Sequence, residues 1–144
     1  MRKLAVTVVV LLGLSIVAST QDYPRFVAKL ALKNQTADIP VTTLFTPKVD
    51  SFYRVSTYLV VAIPGGKDND SRWLGQVLYT DDAGPETGPG ESVTSLRQGF
   101  LPYGESTTTI SATAGIPVTY TVTGQQDSGA GGVYEFYVTV ERLQ

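Results

Sequence analysis

Between residues 25 and 142, apolar side chains recur at every second position in one short run after another. No stretch carries the 3.6-residue period of a helix. Phe26, Ala28, Leu30 and Leu32 alternate with Val27, Lys29, Ala31 and Lys33. Ile39, Val41, Thr43 and Phe45 follow the turn-like residues 34–38. The longest run is 52–63, where Tyr53, Val55, Leu59, Val61 and Ile63 share a face; residues 64–70, with Pro64, Gly65 and Gly66, break it. In residues 72–80, Trp73, Val77 and Tyr79 face one way and Leu74 and Leu78 the other, which predicts a central strand or an interface. Residues 81–90 are dense in Gly and Pro and read as a loop, and 92–100 as a weaker strand.

The last three runs alternate most clearly. Thr108, Ile110 and Ala112 belong to the first, Val118, Tyr120 and Val122 to the second, and Tyr134, Phe136, Val138 and Val140 to the third. The short Ala114-Gly115 link predicts that the first two form an antiparallel hairpin, because a parallel crossover needs about a dozen residues. One face of most runs is apolar and the other rich in Thr and Ser, residue types that suit solvent-facing strand positions. The expected fold is all-β: an antiparallel β-sandwich, a jelly roll of about eight to ten strands.

Residues 1–20 stand apart. Met1-Arg2-Lys3 is basic, 4–17 is almost wholly apolar, and Ala18-Ser19-Thr20 is small, the layout of a secretory signal. The apolar run falls short of the roughly 20 residues of a spanning helix. The expected organisation is a cleaved signal, 1–20, and one sandwich domain, 21–144, with no membrane span after cleavage. Loss of Arg2 and Lys3 leaves 9 basic against 13 acidic groups, a net charge of −4. With no basic stripe, nucleic acid and anionic membrane are not expected partners. An exported chain without Cys does not rely on disulfides, which favours a bacterial origin and a secreted or cell-surface location.

The chain has no His and no Cys. That excludes a Ser-His-Asp triad, a Cys-His dyad, imidazole metal sites, zinc ribbons and iron–sulfur clusters. Gly-x-Ser-x-Gly, phosphate-loop and dinucleotide patterns are also absent. Acid–base chemistry would fall to carboxylates that crowd into loops, so no enzyme is expected. No cofactor is expected either. Calcium is the one candidate metal, because Asp68-Asn69-Asp70-Ser71 gathers oxygen ligands, although EF-hand spacing is missing. Asn34 and Asn69 head N-x-[ST] tripeptides, silent in a bacterial export.

The aromatic residues are the other candidates. Trp73, Tyr58, Tyr103 and Tyr137 could stack a sugar or anchor a protein ligand, with Trp73 and Tyr103 the ligand-binding candidates. Alternation places Tyr58 and Tyr137 opposite the core faces of their strands, where Tyr serves either cross-strand packing or a subunit interface.

Residues 44–56 resemble a known signature. Phe45, Thr46, Pro47, Tyr53 and Ser56 occupy the places of the F-T-P-x-x-x-G-x-Y-x-x-S turn and strand of the tumour necrosis factor and complement globular-head superfamily. Ser51 stands where that family usually has Gly, and Glu135 where a Gly commonly flanks the closing aromatics. The order of the remaining elements is similar to that of bacterial and phage members. The resemblance implies a compact, non-catalytic trimer packed through aromatic side chains along a three-fold axis. Tyr53, Tyr58, Phe136 and Tyr137 are then the interface candidates, the outward ones for the contact itself.

The expectation is an exported jelly-roll domain that self-associates, with a trimer favoured, as a structural, adhesive or binding unit at or outside the cell surface. The alternative is a monomeric carbohydrate-binding sandwich using Trp73, with calcium at Asp68 and Asp70. A hydrolase with a carboxylate pair is a third possibility. A fourth is strand donation by residues 21–25 to an open sheet edge of a neighbouring chain.

Overall fold

The computed structural model describes residues 25–64, 71–94, 103–126 and 132–143. The signal segment 1–20, most of the donor segment 21–25, Asp68, Asp70 and the Asn69 tripeptide's first two residues lie outside the described residues.

Eight strands follow in chain order: β1 (Arg25–Gln35), β2 (Ile39–Phe45), β3 (Ser51–Ile63), β4 (Ser71–Asp81), β5 (Gly84–Thr94), β6 (Tyr103–Ala112), β7 (Val118–Gln126) and β8 (Val133–Arg142). All pairings are antiparallel. β1 pairs with β8, β2 with β7, β3 with β6 and β4 with β5, the ladder of one long hairpin whose tip is Asp82-Ala83. Rolling that hairpin adds the pairs β3–β8 and β4–β7 and closes two four-stranded sheets, β1-β8-β3-β6 and β2-β7-β4-β5. Except at the β4–β5 tip, every connection carries the chain to the other sheet. This is an eight-stranded jelly roll.

The core lies between the sheets, as the alternation predicts. Tyr53, Val55, Thr57, Leu59 and Val61 of β3 face inward and are buried, as are Tyr134, Phe136, Val138 and Val140 of β8. The fully buried Trp73 ring lies 4.2 Å from that of Tyr134, centroid to centroid. Two glycines make room for the largest rings. A Cβ at Gly124 would stand 2.5 Å from the Trp73 indole, and one at Gly75 would stand 2.7 Å from the Phe136 ring.

Five expectations need correction. Residues 81–90 are not a loop: the turn is only Asp82-Ala83, closed by the Ala83 N–H donating to Asp81 Oδ1 at 2.8 Å, and β5 begins at Gly84 with φ +127°. Pro85 and Pro89 are accommodated because β5 is the outer strand of its sheet, where an N–H can be missing.

β6 and β7 do not form a hairpin but belong to opposite sheets. A short link excludes a parallel crossover within one sheet, yet it still permits an arch between sheets. Here the arch donates outward: Thr113 N–H to Thr80 O at 2.9 Å, Gly115 N–H to Pro47 O at 2.8 Å, and Ala114 N–H to Asp50 Oδ1 at 2.7 Å.

In β2, register shifts on either side of Thr42-Thr43 turn Val41 out, leaving it 66% exposed. Phe26 and Ile63 likewise leave the core faces assigned to them, Phe26 before a shift at Phe26/Ala28 and Ile63 after one at Val61/Ile63. A bulge adds a residue without changing the local pattern, so alternation beyond it points to the wrong face.

Tyr134 ties β8 to the β1–β2 turn, its phenol donating to Ala37 O at 2.8 Å. Burial holds its pKa above the ordinary 10.0, with the charge of Asp38 adding. A folded-state value raised above the unfolded one means that stability is full below about pH 10 and falls as pH rises further. Tyr134→Phe is expected to cost about 1–2 kcal/mol at neutral pH and to flatten the alkaline fall. Urea unfolding at neutral and alkaline pH reads both effects.

Candidate functional site

The outward residues of β1-β8-β3-β6 bring most of the sequence candidates onto one face. β3 contributes Phe52, Arg54, Ser56 and Tyr58, because it keeps strict alternation from Ser51 to Val61 and Tyr53, Val55, Thr57 and Leu59 take the core side. Its neighbours stand in register. Tyr58 is opposite Tyr137 of β8 and Glu105 of β6, Ser56 is opposite Thr139 and Thr107, and Arg54 is opposite Glu141.

Each row makes its own contacts. Arg54 Nη1 lies 3.2 Å from Glu141 Oε2, and the Thr107 hydroxyl donates to Ser56 Oγ at 3.0 Å. The Tyr58 ring sits between two others, 5.8 Å from Tyr103 and 6.1 Å from Tyr137, both within the range of favourable aromatic pairs. The Tyr137 phenol donates a short hydrogen bond to Glu135. That bond keeps the proton on the phenol and raises its pKa, with desolvation and the Glu135 charge adding. Between the tyrosines and the hydroxyl row lies an open cavity of about 460 Å³ lined by Ser56, Tyr58, Glu105, Thr107, Tyr137 and Thr139.

The exposed aromatic side chains among the described residues all belong to this face. Phe26 is 70% exposed, Phe52 49%, Tyr58 37% and Tyr103 62%. Phe26 joins it because its partner across the ladder is the outward Glu141. On the opposite sheet the exposed large apolar side chain within a described strand is Val41, and no exposed aromatic ring accompanies it.

Tyr58 and Tyr137 therefore lie together, and Tyr103, read as a ligand contact, completes their cluster. Tyr53 and Phe136 do not belong to an interface. Alternation puts both in the core, 3% and 0% exposed, against Phe45 and Tyr120 respectively. Trp73 is not a sugar platform, because its ring is enclosed between the sheets with no exposed surface. Among the described residues no group of three Asp or Glu could hold a metal ion, and no helix is long and apolar enough to cross a membrane. Sequence reasoning passed over Phe52, whose place one step from the inward Tyr53 was a usable signal. It also missed Phe26, which the bulge conceals, and Glu135, whose bond to Tyr137 follows from their i, i+2 spacing on one strand face.

The class that this fold defines is the eight-stranded antiparallel jelly roll. No protein-family model and no curated protein matches the chain. Among solved structures it is similar to a protein of the disulfide-linked pili formed by Bacillus endospore appendages. The two are 15% identical, over 83% of this chain and 89% of that one, with a TM-score of 0.41. It is also similar to the Eiger TNF of S. frugiperda, at 11% identity over 85% and 94% of the two chains and a TM-score of 0.44. The infectious bursal disease virus VP2 subviral particle is a third likeness, at 14% identity over 83% of this chain but 32% of that one, with a TM-score of 0.39.

Proposed function

We propose that the protein is an exported, non-enzymatic structural unit that self-associates through the outer face of β1-β8-β3-β6, as a trimer, at or outside the cell surface. The observation that carries this reading is the one-sided placement of exposed aromatics: Phe26, Phe52, Tyr58 and Tyr103 share one sheet face. Tyr and Phe are enriched in interface cores, where a large ring buries much area at little entropic cost. Four strands ~4.8 Å apart and about ten residues long make a face of roughly 600 Å², close to the ~800 Å² per partner of a standard interface. The resemblance of residues 44–56 supports the three-fold arrangement, and the layout of residues 1–20 supports export. A catalytic role lacks support in the side-chain chemistry, since the face offers phenols, hydroxyls and carboxylates but no imidazole or thiol.

The test is the solution mass of residues 21–144 by light scattering behind a sizing column, with and without a calcium chelator. Three times the chain mass, unchanged by chelation, is the expected result. A single-chain mass overturns the proposal.

One observation favours a second reading. The cavity beside Tyr58 is lined by the hydroxyl residues Ser56, Thr107 and Thr139, the carboxylate of Glu105 and the phenol rings of Tyr58 and Tyr137, the chemistry that recognises a sugar. A monomer that binds a glycan, and loses that binding in Tyr58→Ala, is what this alternative requires.

A further inference from the structure

The geometry points to an oxidative cross-linking site on this face, at which Tyr58 and Tyr137 join as a dityrosine that ties β3 covalently to β8. The inference uses the same face as the proposed function and applies to the single chain, before that face is covered.

Three features converge. Tyr58 and Tyr137 are directly opposed across the ladder, so their Cβ atoms are held at the short cross-strand spacing and their ring centroids at 6.1 Å. Both rings open onto the same surface cavity rather than the core, so in the single chain they can rotate toward each other and an oxidant can reach them. Tyr137 also has a proton acceptor in place, since its O–H already points at Glu135. A phenol that stays protonated at neutral pH must lose its proton together with its electron, and Glu135 takes it without diffusion. The other close ring, Tyr103, lies on a diagonal, because the residue opposite it is Val60. With no Cys in the chain, a phenol–phenol bond is the covalent tie that these side chains can make.

The chemistry balances with hydrogen peroxide acting through a haem peroxidase as oxidant. Tyr137 loses one electron to the oxidant and its phenolic proton to Glu135. Tyr58 loses one electron, with its proton passing to water. The two radicals form one carbon–carbon bond between ring positions ortho to the oxygens. Each ring then regains aromaticity by losing its ortho hydrogen as a proton while its oxygen is reprotonated. The pair loses two hydrogen atoms in all. The peroxide O–O bond breaks, and its two oxygens leave as two waters.

The test is oxidation, by a haem peroxidase with hydrogen peroxide, of the full chain and of its Phe52→Glu variant, which keeps this face open to solvent by charging the proposed contact. The expected product is a single chain lighter by two hydrogen atoms, with dityrosine fluorescence and one joined peptide containing Tyr58 and Tyr137. Tyr58→Phe and Tyr137→Phe each abolish that peptide, and Tyr103→Phe retains it. Glu135→Gln keeps the fold by circular dichroism and slows the bond several-fold. A bond between another pair of tyrosines, chains tied only to one another, or undiminished coupling in Tyr58→Phe overturns the inference. The two readings fail separately: a wild-type monomer that forms the bond sinks self-association alone, and a monomeric Phe52→Glu chain that does not form it sinks the cross-link alone.

Discussion

On the proposed self-association, replacing Tyr58 by Glu is expected to reduce the solution mass from three chains to one while leaving the fold intact. Tyr58 stands outward at the centre of the aromatic face, 37% exposed in the single chain, so the new carboxylate remains hydrated when the chain is alone. The single chain then loses the ring contacts with Tyr103 and Tyr137, about 0.5–1.5 kcal/mol each, and sets two hydrated carboxylates opposite one another, a repulsion of about 0.2–1 kcal/mol. At a subunit contact the consequence is much larger. The carboxylate would be desolvated opposite Glu105 and near Glu135, which stands across from the adjacent Val60. Leaving a charge buried without a partner costs roughly 2–5 kcal/mol, and every 1.4 kcal/mol is tenfold in affinity. Light scattering reads the mass and circular dichroism the fold. A Tyr58→Glu chain that remains trimeric would show that the contact lies on another face.

The largest loss of stability is expected from Trp73→Ala. The indole is fully enclosed, packed at a tilt on Tyr134 and pressed against the bare backbone of Gly124. Both of its neighbours belong to central strands that cannot collapse into the gap, β8 between β1 and β3 and β7 between β2 and β4. Truncating a buried Trp costs about 3–5 kcal/mol, a large part of the 5–15 kcal/mol that typically separates folded from unfolded domains. The urea midpoint should fall sharply without a change in the oligomer contact. The same substitution separates packing from recognition. If Trp73 were a ligand platform, its loss would abolish binding and leave the midpoint nearly unchanged.

Much of the fold was legible because alternation is a direct consequence of burying one face of a strand. β3 and β8 show this best: in both, inward and outward residues follow the sequence pattern almost without interruption. The outward placement of Tyr58 and Tyr137 follows from it, and so does the burial of Tyr53 and Phe136, which the family resemblance had drawn into the interface. β5 was illegible because Gly and Pro punctuate loops and edge strands alike. The arch between β6 and β7 was illegible because a short link is compatible with both a hairpin and a crossing between sheets. Phe26 and Val41 were misplaced by bulges, which change the face of every later residue and leave no trace in local composition.

The candidate site divides in the same way. Alternation between Gly- and Pro-rich breaks determined that the chain is built of strands with one buried face, and that Tyr58 and Tyr137 point away from the core, because between bulges a strand residue's face follows from its own neighbours. The composition alone removed thiol and imidazole chemistry. Only the tertiary structure decided that β3 lies between β8 and β6. That choice sets Tyr58 beside both Tyr137 and Tyr103, collects Phe26 and Phe52 on the same face, and encloses Trp73. Strand order and register depend on pairings between residues tens of positions apart, and these are settled by packing the whole core at once.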